Sequence, residues 1–254
     1  MKKRNEQEAF KLLTSGQLLA LYRSYSRAGE LKYASPVLEY LLESTYSDAE
    51  RYFEKAVVLK EILRTEEALE ACDKAIELKP DYAAAYDLNG RILYRPWKYE
   101  EAIKAFDKVI ELNPDFQDVY LNKGWCLTEI GRYEEAVECF NIGIKKNQCS
   151  EELYASKAWV LLQELNQKDE EALQAYKKAI ELSPKDNIYY FFAAQILKAL
   201  GGQKEAKVML NKAIELAPNM EECILYCFKN DDFDYVVTLR KRECMKLTKA
   251  YFRE

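Results

Sequence analysis

The sequence predicts an all-α chain assembled from one repeated helical hairpin, and three observations carry that prediction. The stretch "YEEAIKAFDKVIELNPDF" at residues 99–116 recurs in altered form as "EEALEACDKAIELKPDY" at 66–82, "EEALQAYKKAIELSPKD" at 170–186 and "QKEAKVMLNKAIELAPN" at 203–219. Separate residue series share one period: Ala34, Ala68, Ala102 and Ala136 lie 34 residues apart, Ala172 follows after 36 and Ala206 after 34. Within each period the apolar positions follow helical rather than strand spacing. A fixed period of this length is the mark of stacked repeats.

Each unit divides into two helices. Tyrosines at 52, 86, 120, 154 and 190 open a first-helix stripe, and a small residue follows four places later in each: Ala56, Gly90, Gly124, Ala158 and Ala194. In the unit at 83–116, Tyr86, Gly90 and Leu93 share one helical face. After a turn, Ala102, Phe106, Val109 and Ile110 at i, i+4, i+7 and i+8 form a second amphipathic face. Pro80, Pro114, Pro184 and Pro218 close the units, with Gln148 standing in once, where proline cannot continue a helix.

The expected order is a helical extension at 1–14, a degenerate unit at 15–48, and five full units near 49–82, 83–116, 117–150, 151–186 and 187–220. A capping hairpin is expected at 221–254, all within one solenoid. The degenerate unit keeps Tyr25, Gly29 and Ala34, and its Ser35-Pro36 predicts a late second helix with Ser at the N-cap and Pro at N1. The two extra residues of the 36-residue spacing fall in "LNQKDEE", a turn. The last segment has a stripe of Phe233, Val236, Val237, Cys244, Leu247 and Tyr251.

Composition bounds the function. The 254 residues are 49% hydrophobic and 32% charged, a globular balance, and only 8 Gly and 6 Pro leave room for long regular elements. A net charge of −5 gives no global attraction to nucleic acid or anionic membrane. The absence of histidine rules out Ser-His-Asp and Cys-His nucleophile systems and His-containing zinc sites. Seven cysteines without a CxxC pair predict reduced thiols and a monomer in the cytoplasm. The basic start "MKKRNEQEAFKLL" lacks the apolar core of a signal peptide, and no apolar run reaches the length of a membrane span. No cofactor or metal is expected, and no catalytic constellation is recognisable.

The unit resembles the tetratricopeptide repeat (TPR): 34 residues, paired helices and a sparse aromatic–Leu–Gly–Tyr–Ala–Phe–Pro pattern. The signature positions here are Gly90 and Gly124 on first helices and Ala68, Ala102, Ala136, Ala172 and Ala206 on second helices. The resemblance implies a right-handed superhelix whose first helices line a concave groove for a peptide or helix of a partner protein, and thus a non-enzymatic scaffold.

Residues one, five and eight places after each tyrosine lie roughly 80 to 140° around the helix, away from the buried stripe. They read Phe53, Val57, Lys60; Asp87, Arg91, Tyr94; Leu121, Trp125, Thr128; Ala155, Trp159, Leu162; and Phe191, Gln195, Lys198. Trp125 and Trp159 fall in register, flanked by Tyr94, Leu121 and Phe191. Two readings stand: an apolar binding surface, or burial between repeats. The first is the expectation, with Phe53, Val57, Arg91, Tyr94, Leu121, Trp125, Trp159 and Phe191 as the partner-binding set.

The resemblance also raises the family's carboxylate clamp for chaperone tails, which needs Lys and Asn, then Asn, then Lys and Arg on successive first helices. The corresponding positions hold Phe53, Val57, Leu88, Asp118 and Asn122, or, one unit on, Asp87, Arg91, Asn122, Glu152 and Ser156. Neither set is a basic clamp. "RILYRPWKYE" interleaves Arg91, Arg95 and Lys98 with Tyr94 and Trp97, an alternative site for an anionic ligand or nucleic acid, though an ordinary charged turn explains it as well. The basic last helix, with Arg240, Lys241, Arg242, Lys246, Lys249 and Arg253, reads first as a solvated cap and second as an acidic-partner or membrane-surface contact. Cys223 and Cys227 read as core thiols.

Overall fold

The computed structural model describes Phe10, Leu13 and residues 15–43, 48–116, 118–163 and 169–217. These residues form twelve helices and no strand. In order they are α1 (Ser15–Arg27), α2 (Leu31–Glu43), α3 (Ala49–Glu61), α4 (Thr65–Leu78), α5 (Ala83–Tyr94), α6 (Tyr99–Leu112), α7 (Val119–Glu129), α8 (Tyr133–Lys146), α9 (Glu151–Gln163), α10 (Asp169–Leu182), α11 (Asn187–Ala199) and α12 (Gln203–Leu216). The expected helical extension, the inserted turn at 164–168 and the capping hairpin lie outside the described residues, apart from Phe10 and Leu13. Odd-numbered helices are the first helices of the predicted hairpins and even-numbered ones the second. The fold is an all-α solenoid of helical repeats. The helices fall into two compact units, α1–α6 before the break at Pro114 and α7–α12 after it.

One turn design ends five first helices. The residue two places past the helix end, or three at Trp97, takes the left-handed conformation at Gly29, Leu63, Trp97, Gly131 and Gly201, with φ between 59 and 82°. Its N–H donates to the carbonyl three residues back, and the next N–H reaches five back. Trp97 N–H thus bonds Tyr94 at 3.3 Å and Lys98 N–H bonds Leu93 at 3.1 Å; Gly131 to Thr128 (3.0 Å) and Arg132 to Leu127 (2.9 Å) repeat the pair. This is the Schellman closure, which satisfies the orphan carbonyls of the ending helix. The second helix starts at once, its signature alanine donating to the residue after the left-handed position, as in Ala68 to Arg64 and Ala102 to Lys98, both 3.0 Å.

Three of these left-handed positions are glycine, which bears no penalty there, but Leu63 and Trp97 do. Trp97 is also 76% exposed, so its ring recovers little by burial. Trp97→Gly is therefore expected to stabilise the chain by up to about 1 kcal/mol in a thermal melt. A loss of the size seen for core substitutions would mean that the ring is packed and would contradict this reading.

The signature alanines fill the hairpin seams: Ala68, Ala102, Ala136 and Ala172 are fully buried and Ala206 nearly so. Glycine appears where the facing second helix carries phenylalanine. A Cβ on Gly90 would lie 2.7 Å from Phe106 Cε1, and one on Gly124 would lie 2.7 Å from Phe140 Cδ1 and Cζ. In the hairpin of α3 and α4 the pair is Ala56 and Cys72, both fully buried in one cluster. Volume is thus shared between the helices at this level.

The degenerate unit departs from expectation. Its second helix starts at Leu31, with Pro36 inside it, rather than at Ser35. Ala34 and Val37 are buried against Leu18 and Tyr22, and that packing requires helix on both sides of the proline. Proline removes one helical hydrogen bond and crowds the preceding turn, a loss the buried contacts offset.

Candidate functional site

In the first unit, the predicted surface residues are half-buried and make contacts within the protein. Phe53 and Val57 are half-buried against the cluster of Ala56, Leu59, Leu88 and Ile92. Phe53 also meets Tyr82 at 5.3 Å between ring centroids, and Tyr94 stands edge-on to Tyr99 at 5.3 Å. Arg91 Nη1 donates to Asp87 Oδ2 at 3.4 Å, one turn back on α5, and Asp87 is buried. Arg91, a member of the expected partner-binding set, thus has a carboxylate on its own helix. Lys98 lies 3.9 Å from Glu101 on an exposed turn.

Sequence spacing missed the neighbour of Arg91. Lys60, in the last turn of α3, is half-buried; burial first, then Arg91 and Arg95, pushes its pKa from 10.5 down to about 8. The unfolded chain therefore binds this proton more tightly than the fold does. The resulting penalty is complete below pH 8 and fades as pH rises toward 10.5. Lys60→Met is expected to stabilise the protein at pH 7 by about 2 kcal/mol. It should also flatten the difference in urea-melt stability between pH 8 and 10 relative to the parent chain. Identical pH slopes in the two proteins would refute this account.

In the second unit, the two indoles meet. Trp125 on α7 and Trp159 on α9 lie 5.5 Å apart between ring centroids, inclined by 50°, and both are half-buried. Trp125 also stands edge-on to Phe140 at 6.2 Å, the ring that closes over Gly124. Leu121 is half-buried one turn before Trp125. Four others of the predicted column are buried. Thr128 is buried with its hydroxyl donating to the Gly124 carbonyl at 2.9 Å, and Ala155 is fully buried. Phe191 and Gln195 are each only 3% exposed, and Phe191 packs edge-on to Phe192 at 5.6 Å. Phe191 thus backs the core rather than presenting a margin to a ligand.

Acid gathers at the other end of the same helices. Glu152, in the first turn of α9, has an exposed side chain, yet the chain crowds it enough to raise its pKa; desolvation leads, followed by Glu151 and Asp118. Asp118 precedes α7 with a left-handed backbone, φ 65°. Lys157, the lysine of α9, pairs with Glu171 at 2.9 Å.

Four thiols lie among the described residues. Cys72, Cys126 and Cys139 are free and buried and Cys149 is free and exposed. Burial raises the pKa of Cys72 and takes Cys126 up to about 12. Among the described residues no cluster of carboxylates and thiols could hold a metal ion, and no helix is long and apolar enough to cross a membrane.

A family model described as "Psidin, N-terminal TPR repeats region" matches residues 58–230, well over half of the chain. The chain belongs to this TPR family. Among solved structures, the TPR chain is similar to YrrB, described as a TPR protein with an unusual peptide-binding site. The identity is 24% and the TM-score 0.61, over 72% of this chain and 92% of that one. PilF of Pseudomonas aeruginosa gives 20% identity and a TM-score of 0.63, over 86% of this chain and 95% of its own. MamA of Desulfovibrio magneticus RS-1 gives 20% and 0.62, over 70% and 99%. At such identities these likenesses establish the fold of the TPR chain. No curated protein matches it.

Proposed function

We propose that the chain is a non-catalytic interaction scaffold that holds a peptide or helical segment of a partner protein against Trp125 and Trp159. The observation that carries this reading is the pair itself: two large aromatic rings in contact on neighbouring first helices, both still partly in water. A solvated helix face would be charged, and such residues tend to dominate binding energy because they bury much area with few torsions to fix. Membership of the TPR family supports the same role, and YrrB is a structural relative described as having a peptide-binding site. Leu121 extends the apolar strip, and the first-unit residues Phe53, Val57 and Tyr94 serve mainly to pack their own helices.

A random peptide display library panned on the full chain tests the reading. Selected peptides should lose most of their binding to the Trp125→Ala, Trp159→Ala double variant, with far-ultraviolet circular dichroism unchanged in form. Peptides that bind parent and variant alike would refute it. The alternative of an anionic ligand or nucleic acid at Arg91, Arg95 and Lys98 is weaker, since Arg91 already pairs with the buried Asp87.

A further inference from the structure

We infer that the segment seated on Trp125 and Trp159 carries a lysine or arginine that pairs with Glu152. This rests on the binding reading above and adds the chemistry of the partner. Glu152 and Trp159 are seven residues apart on α9, hence on one face and about 10 Å apart along the axis. Asp118, at the N-cap of α7, lies seven residues before Trp125, and the two tryptophans tie α7 to α9. Leu121 lies on that face between the acidic and aromatic ends.

Acidic residues in a first helical turn are ordinary, because the helix dipole favours them, and Glu151 is such a residue. Glu152 differs in three respects. It shares the aromatic face; it makes no hydrogen bond or ion pair among the described residues; and its nearest charges are other carboxylates. A bound segment that covers the indoles would strip further water from this carboxylate. A segment without a cation there would leave the charge poorly solvated, whereas a cation would relieve it. The predicted ligand therefore has an apolar anchor and a basic residue about 10 Å away. That is seven positions along a helix, or about three along an extended chain.

The peptides panned on the full chain supply the probe. Lysine or arginine should be enriched at one of those two spacings from the apolar anchor. Glu152→Gln should weaken the best peptide about five- to tenfold and reduce its salt dependence. Glu152→Lys should weaken it more and be rescued by the peptide whose basic residue is changed to glutamate. Tryptophan-dependent peptides with no basic enrichment, or equal affinity for the parent and Glu152→Gln, would overturn the inference and leave the aromatic site standing. Loss of tryptophan dependence would instead remove the site itself. Self-association abolished by Trp159→Ala would place a second copy of this chain on the face, and would also overturn the inference.

Discussion

Gly124→Leu is expected to cost about 3 kcal/mol or more, the largest effect of any single substitution considered. Even a lone Cβ at this position would press into the edge of Phe140, whose ring is fully buried and cannot retreat into solvent. Leucine adds three further carbons to the same space. Relief requires α7 and α8 to separate, and that would uncover Ala136 and Val137 as well as Phe140. Ordinary domains have only about 5–15 kcal/mol in hand, so the melting temperature should fall sharply. Gly124→Ala should cost less, and Phe140→Leu on that background should recover part of the loss, since the two positions share one volume. Glu100→Ala, on an exposed face of α6, should stay within about 0.5 kcal/mol and serves as the control. Equal melts for Gly124→Leu and Glu100→Ala would show that the helix contact is not where the structure puts it.

Truncating the tryptophans is the second large effect. Each of Trp125→Ala and Trp159→Ala should weaken a selected peptide by about 2 kcal/mol, as truncation of aromatic anchors commonly does. The two are not equivalent in stability. Trp125 supports Phe140 from the side, so its loss should also lower the melting temperature, whereas among the described residues Trp159 meets no ring but Trp125. Trp159→Ala is accordingly the cleaner variant for calorimetric titration. Unchanged affinity in both would move binding away from this face.

The repeat was legible because each of its constraints recurs. A small residue beside a large ring, an alanine in the seam and a proline after the second helix each reappear at the same offset, so chance is easily set aside. The tryptophan contact was legible for the same reason, since residues 34 apart occupy equivalent places on neighbouring first helices. What did not recur was hidden. Phe191 and Gln195 share an offset with Trp125 and Trp159 or their neighbours, yet they are buried, because an offset gives the direction of a side chain and not what covers it. Lys60 lies near Arg91 and Arg95 through the packing of α3 beside α5, a relation that no single helical wheel contains. Pro36 looked like a helix start by local rules, and the tertiary contacts of Ala34 and Val37 overrode it. The Schellman turns stood in the sequence at Gly29, Gly131 and Gly201, but Leu63 and Trp97 in the same places disguised the rule.

Tryptophan emission gives the most direct test of the central claim. The chain has three tryptophans, and Trp97→Phe leaves only the pair at 125 and 159. Titrating this variant with a selected peptide free of tryptophan should shift the emission to the blue and saturate at the dissociation constant found by calorimetry, as the half-buried indoles leave water. Binding seen by calorimetry with no change in emission would mean that the partner sits elsewhere, and the assignment of Trp125 and Trp159 as the docking face would be wrong.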